Sequence, residues 1–232
     1  MKNLNQYIKE SILDDEEDLI NSQGIQAYEW LKRHKALYRI KDGKVNDDGT
    51  IDADYVEIEN IVDDDLIPDY IQFNKVRTFC VKNCRGIKNC KGFPKESDKI
   101  ILANCTNLET LEGFLKGTKI NTFMFRYDGG YYHHKLKSLK GMPDCHFVFL
   151  YGLEFKNLNG MSDAKVDKLS IKYCDKLEKL NVPKTINYLS IEYCRKLKDL
   201  SKLPKMDFIF VNNCNLPKEM FDHFTKKLQY IS

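Results

Sequence analysis

The stretch Ile171-Lys172-Tyr173-Cys174-Asp175-Lys176-Leu177-Glu178-Lys179-Leu180 returns twenty residues later as Ile191-Glu192-Tyr193-Cys194-Arg195-Lys196-Leu197-Lys198-Asp199-Leu200. Self-similarity at so short a period constrains the fold more than local propensity does, because a unit of about twenty residues cannot bury its own apolar face. Such units stack, and their repeated Leu, Ile and Cys side chains become one continuous core. The expected architecture is a solenoid.

Aligning the chain on the Cys position extends the pattern in both directions. The slot holds Ile61, Cys84, Cys105, Asp128, Leu153, Cys174, Cys194 and Cys214, at intervals of 23, 21, 23, 25, 21, 20 and 20 residues. Ahead of it stand two apolar residues one position apart: Phe79 and Val81, Ile100 and Leu102, Phe123 and Phe125, Val148 and Leu150, Leu169 and Ile171, Leu189 and Ile191, Ile209 and Val211. That alternation predicts a strand with one face in the core. Behind the slot come apolar pairs such as Leu108 with Leu111 and Leu177 with Leu180. Pro68, Pro94, Pro143, Pro183 and Pro204 fall on the segments leading into strands, where a missing N–H removes no ladder bond.

The ends depart from this template. Residues 1–37 place Leu4, Tyr7, Ile8, Ile12 and Leu13, and later Ala27, Trp30 and Leu31, at helical spacing around the acidic run Asp14-Asp15-Glu16-Glu17-Asp18, which predicts an N-terminal helical segment. Residues 38–55 change to short alternating runs separated by Asp42-Gly43 and Asp48-Gly49, a hairpin signal read as a cap. Residues 56–215 form the repeat array. In residues 216–232, Met220, Phe221, Phe224, Leu228 and Ile231 share one helical face after Pro217, which predicts a C-terminal helical cap over the last rung.

With Leu-x-Ile-x-Tyr-Cys-x-x-Leu-x-x-Leu as its unit, the chain from about Val56 to Asn215 resembles the leucine-rich repeat superfamily, with Cys in place of the usual Asn. The phrases Leu136-Lys137-Ser138-Leu139-Lys140-Gly141-Met142-Pro143 and Lys91-Gly92-Phe93-Pro94-Lys95 are similar to short repeats of gut bacteria and their phages. The opening from Leu4 to Glu16 is similar to amino termini of such phage proteins. The resemblance implies an α/β solenoid with parallel strands on a concave face, used typically to bind proteins. It implies, for a phage-encoded chain, the cytoplasm of a bacterial host or association with a virion. The rung around Asp128 departs from the pattern, since Gly129-Gly130-Tyr131-Tyr132-His133-His134 lengthens its loop.

Hydrophobic residues at 42% and charged residues at 31% are the balance of a soluble globular chain, and the apolar runs reach only strand length, so no membrane span is expected. The first residues enter charged sequence without an apolar h-region, so no secretion signal is expected either. Five of the eight cysteines occupy the repeat slot, which reads as free buried thiols in a reducing, cytoplasmic compartment. Cys80, Cys84 and Cys90 lie close in sequence, but without a paired C-x-x-C arrangement they predict no metal site. The net charge of +3 hides an asymmetry: residues 1–70 carry 8 basic and 18 acidic side chains, the remainder 29 and 16. A basic surface on the array could meet an anionic partner or the chain's own acidic end.

Phosphate-binding Gly-rich loops, Gly-x-Ser-x-Gly, His-Glu-x-x-His and EF-hand loops are missing from the sequence, so neither catalysis nor a cofactor is expected. Tyr131, Tyr132, His133 and His134, with Cys145 and His146, come nearest to a site. Adjacent His residues in an extended segment point apart, so these read as an exposed loop. A better candidate follows from strand alternation, which turns the residues between core positions to the opposite face. The candidate binding set there is Met124, Arg126, Phe147, Phe149, Tyr151, Lys172, Tyr188, Glu192 and Phe210. Concentrated outward aromatics mark interaction sites. The expected function is a non-catalytic, monomeric scaffold binding a protein or peptide on its strands; the second reading is a nucleic-acid or polyanion binder using the basic array.

Overall fold

The structure is a computed structural model that describes residues 38–46, 48, 50–62, 72–127 and 134–231. The expected helical segment over residues 1–37 lies outside the described residues, as do Asp128 and residues 129–133 of the lengthened loop. Strands form wherever the paired apolar spacing occurs: β1 (Tyr38–Lys41), β2 (Lys44–Val45), β3 (Ile51–Glu59), β4 (Phe73–Lys82), β5 (Glu96–Ala103), β6 (Lys119–Arg126), β7 (Cys145–Tyr151), β8 (Val166–Lys172), β9 (Tyr188–Glu192), β10 (Met206–Asn212) and β11 (Thr225–Ile231). They make one sheet in the order β1-β3-β4-β5-β6-β7-β8-β9-β10-β11, with β2 on β3. From β3 onward every pairing is parallel. The chain is therefore a β-solenoid of about eight turns.

The strand register carries the sequence pattern directly into the core. Phe79, Ile100, Phe123, Val148, Leu169, Leu189 and Ile209 are consecutive partners along one row, and Val81, Leu102, Phe125, Leu150, Ile171, Ile191 and Val211 along a second. All are completely buried. At about 1.5–3 kcal/mol for each fully buried apolar side chain, these two rows are a dominant favourable contribution to folding.

Each turn leaves its strand through a left-handed corner. Asn60, Asn83, Asn104, Tyr173, Tyr193 and Asn213 hold φ between 50 and 59°, and Gly152 stands at the same place with φ 68°. Asn tolerates this region and Gly is free of its penalty. At Gly152 a Cβ would also lie 2.5 Å from the carbonyl oxygen of Tyr127, so no larger residue fits without movement. The slot thiols follow the corners. Cys84, Cys105, Cys174, Cys194 and Cys214 are buried and free, and each donates to the carbonyl two residues earlier, at 3.1, 3.6, 3.5, 3.4 and 3.4 Å in turn.

The returns between strands are irregular, and helical structure among the described residues is limited to 3-10 turns at Met161–Asp163 and Lys218–Met220. The expected α/β class is corrected accordingly to a β-solenoid. The reason lies in where the return backbone bonds: the Glu178 N–H donates to Lys156 at 2.9 Å and the Lys198 N–H to Glu178 at 3.1 Å. Backbone groups committed to the neighbouring turn cannot also close i to i−4 rings within their own.

The C-terminal helical cap over residues 216–232 is likewise corrected. Beyond one 3-10 turn the chain forms β11, parallel to β10, with Leu228 opposite Ile209 and Tyr230 opposite Val211. An open edge of β10 offers a row of unpaired backbone groups, and pairing satisfies them while Leu228 and Tyr230 extend the two core rows. The Tyr230 hydroxyl locks this last turn by donating to the Leu216 carbonyl. At the opposite end β1 and β2 both pair antiparallel with β3. β3 runs through the boundary expected near residue 55, so the hairpin cap and the first rung share one strand.

Candidate interaction face

Alternation along each strand leaves one side of the sheet directed away from the core, and all nine candidate residues lie on it, each half-buried. Register brings part of the set together. Met124 pairs with Phe149 and Arg126 with Tyr151 across β6 and β7. The Phe149 and Tyr151 rings are stacked at 6.2 Å. The Lys172 ammonium meets the Glu192 carboxylate at 2.7 Å.

Tyr188 and Phe210 belong to a second cluster. Tyr188 stacks on Phe208, with centroids 4.8 Å apart and planes 12° from parallel, and is separated from Phe147 by Lys168. Phe210 is separated from Phe149 by Ser170 and Ser190, which point outward yet are only 5% exposed. Small side chains between large ones make a notch: a serine floor, with Phe149 and Tyr151 on one side and Phe208 and Phe210 on the other.

The sequence reading missed Tyr173 and Tyr193. From Tyr151 the aromatic array continues to Tyr173 at 5.1 Å, and Tyr173 lies flat on Tyr193 at 4.5 Å with planes 4° apart. Tyr173 is 44% exposed. The available signal was the Tyr-Cys dipeptide, which puts Tyr at two successive corners where most other turns use Asn or Gly.

The β3 end of the face is polar. Glu57, only 4% exposed, accepts a hydrogen bond from the Tyr55 hydroxyl at 2.6 Å, pairs with Lys82 and has the Arg39 guanidinium at 3.6 Å. The Lys82 and Tyr55 hydrogen bonds hold its carboxyl below the usual range. On the adjoining strand, burial pushes the Cys80 thiol up to about 11.

His134 does not behave as an exposed loop residue. It is buried between Tyr127 and Phe155, with ring centroids at 5.0 and 5.1 Å. Its Nδ1 faces the Leu136 carbonyl at 3.0 Å and its Nε2 accepts the Glu154 N–H at 2.9 Å. Since a carbonyl only accepts and an amide only donates, the proton resides on Nδ1 and the ring is neutral. His146 is half-exposed and meets Asp167 at 3.2 Å, on the edge below Phe147. Among the described residues no group of three His, Cys, Asp or Glu is placed to hold a metal ion, and no helix is long and apolar enough to cross a membrane.

Many basic side chains of the array meet acids on the adjacent turn: Lys75 with Glu96, Lys140 with Glu112, Lys176 with Glu154, Lys179 with Asp199 and Lys226 with Asp207. The excess positive charge is thereby partly neutralised between turns and not gathered in one patch. In comparisons with known proteins, the chain matches no family model, no curated protein and no solved structure.

Proposed function

We propose that this protein is a non-catalytic scaffold of the leucine-rich repeat type that binds a protein or peptide on the outer face of its sheet. The observation that carries the reading is the unbroken array Phe149, Tyr151, Tyr173 and Tyr193, in which two tyrosines sit in left-handed backbone at corners that Asn or Gly would occupy without strain. Strained, outward aromatics cluster where proteins make contacts. The array supplies apolar anchors, while Arg126 and the Lys172–Glu192 pair set orientation.

A polyanion-binding reading draws on the excess of basic side chains after residue 70, and the ion pairs between turns weigh against it. Phosphate contacts release counterions, so polyanion affinity falls steeply with salt, whereas an aromatic-centred interface loses little. The decisive experiment is capture of partners from the native source by the parent and by the Phe149→Ala, Tyr151→Ala double variant. Loss of specific partners with the variant is expected; recovery of the same partners by both would overturn the reading.

A further inference from the structure

Along the outer face, at the position just before the first core row, Lys99, Thr122, Phe147, Lys168, Tyr188, Phe208 and Lys227 follow one another from β5 to β11. Strands are about 4.8 Å apart, so this is a straight line of cations and aromatic rings. Among the described residues Lys99 and Lys168 have no carboxylate ion-pair partner, and the Lys227 ammonium lies over the Phe208 ring at 6.0 Å. Nearby acids are already engaged: Asp167 by Asn187 at 2.9 Å and His146 at 3.2 Å, and Asp207 by Lys226 at 3.0 Å.

Resting on the peptide-binding reading above, we infer that the partner is an acidic peptide with a bulky apolar residue, its carboxylates along the lysine line and its apolar side chain seated in the notch over Ser170 and Ser190. The notch spans roughly 14 Å between the Phe149 and Phe210 strands, three strand steps, which leaves room for one Leu- or Phe-sized side chain between the walls. Ring orientation separates this partner from a nucleic acid. Tyr188 and Phe208 spend their facing surfaces on each other, and a base would need an open face on which to stack. What the stacked rings present outward is their edges, the positive side of the ring quadrupole, which suits carboxylate oxygens.

The test is fluorescence anisotropy of the full chain at low ionic strength with a labelled peptide, Glu-Asp-Glu-Leu-Phe-Asp-Glu, against three controls: its Gln/Asn counterpart, a version with Ser for Leu and Phe, and oligothymidylate. The acidic apolar peptide is expected to bind at least about tenfold more tightly than any control, a difference of 1.4 kcal/mol. Lys168→Glu should weaken it about tenfold or more, with Lys168→Arg near the parent, and Ser190→Trp should block the notch. Lys168 is exposed, so its variants keep the test valid should Ser190→Trp misfold. Equal binding of the neutral counterpart, with Lys168→Glu silent, overturns the acidic preference and leaves peptide binding intact. Preference for oligothymidylate overturns the inference in favour of nucleic acid. Failure of every peptide overturns the inference; only if Phe149→Ala, Tyr151→Ala also leaves native capture unchanged does the broader reading fall with it.

Discussion

The ring of Tyr173 lies on that of Tyr193 at 4.5 Å, 4° from parallel, while the backbone of both residues holds positive φ, 55 and 56°. The two facts oppose each other energetically. A left-handed backbone costs a non-Gly residue about 1–2 kcal/mol, whereas an aromatic pair returns about 0.5–1.5 kcal/mol. Stability alone does not favour Tyr here over the Asn used at four other corners.

Replacing both tyrosines by Asn should therefore leave stability unchanged or raised by about 1 kcal/mol, since strain relief at two residues offsets one lost stack. Replacing both by Ala keeps the strain, loses the stack and should destabilise by about 1 kcal/mol. Urea denaturation checks both. The Asn pair should nonetheless lose partner capture; a loss of stability above about 2 kcal/mol would make the stack a structural staple instead.

Glu57 should dominate the acid sensitivity of the β3 end. Its folded pKa is lowered, first by the Lys82 hydrogen bond and then by Tyr55, so its contribution is fully present above the ordinary glutamate value near about 4.3 and is lost as pH falls through the folded value. Glu57→Gln should cost about 1–3 kcal/mol at neutral pH and flatten the acid limb of a stability–pH curve. Unfolding curves recorded from neutral to acid pH for parent and variant are the check, and parallel acid limbs would remove Glu57 from this role.

His134 gives a second pH dependence. Burial lowers its folded pKa, so its stabilising contribution stands above the ordinary histidine value near about 6.5 and diminishes as pH falls below it. Protonation would put a second N–H at Nε2, facing the Glu154 amide that it now accepts. His134→Phe should lower stability at pH 8 by about 1–3 kcal/mol through the orphaned Glu154 N–H, and should lower it less at pH 5. A penalty of equal size at both values would show that protonation of His134 is uncoupled from folding.

The two core rows and the Cys slot were legible because two periods agree: alternation within a strand and about twenty residues between strands. Where one period stood alone, the reading failed. Met220, Phe221, Phe224, Leu228 and Ile231 fit a helix by spacing, but Lys227-Leu228-Gln229-Tyr230 also alternates, and the open edge of β10 decides between them. Leu177 and Leu180 have helical spacing, yet their segment bonds to the turn before it. The outer face could be read from alternation. Stacking at Tyr173 and Tyr193 could not, because it depends on a corner dihedral that Asn, Gly and here Tyr all occupy.

The slot thiols supply the last prediction. With Cys84 and Cys145 pushed up to about 12 by burial, and Cys194 raised further by contact with Cys174, thiolate is scarce in the folded state, and native thiols should resist labelling until the chain unfolds. From sequence, Ser at position 194 would put a hydroxyl among apolar neighbours and cost more than Ala. The structure reverses that order. The Cys194 thiol already donates to the Glu192 carbonyl at 3.4 Å, an acceptor that a serine hydroxyl can keep, whereas Ala leaves both a void and an unused carbonyl. Cys194→Ser should thus cost about 0.5–1.5 kcal/mol and Cys194→Ala somewhat more, measured by denaturant midpoints at constant slope. Ala more stable than Ser would mean that the Glu192 carbonyl is not used by a hydroxyl in the slot, and that apolar contact with Cys174 and Cys214 alone decides which side chain the slot accepts.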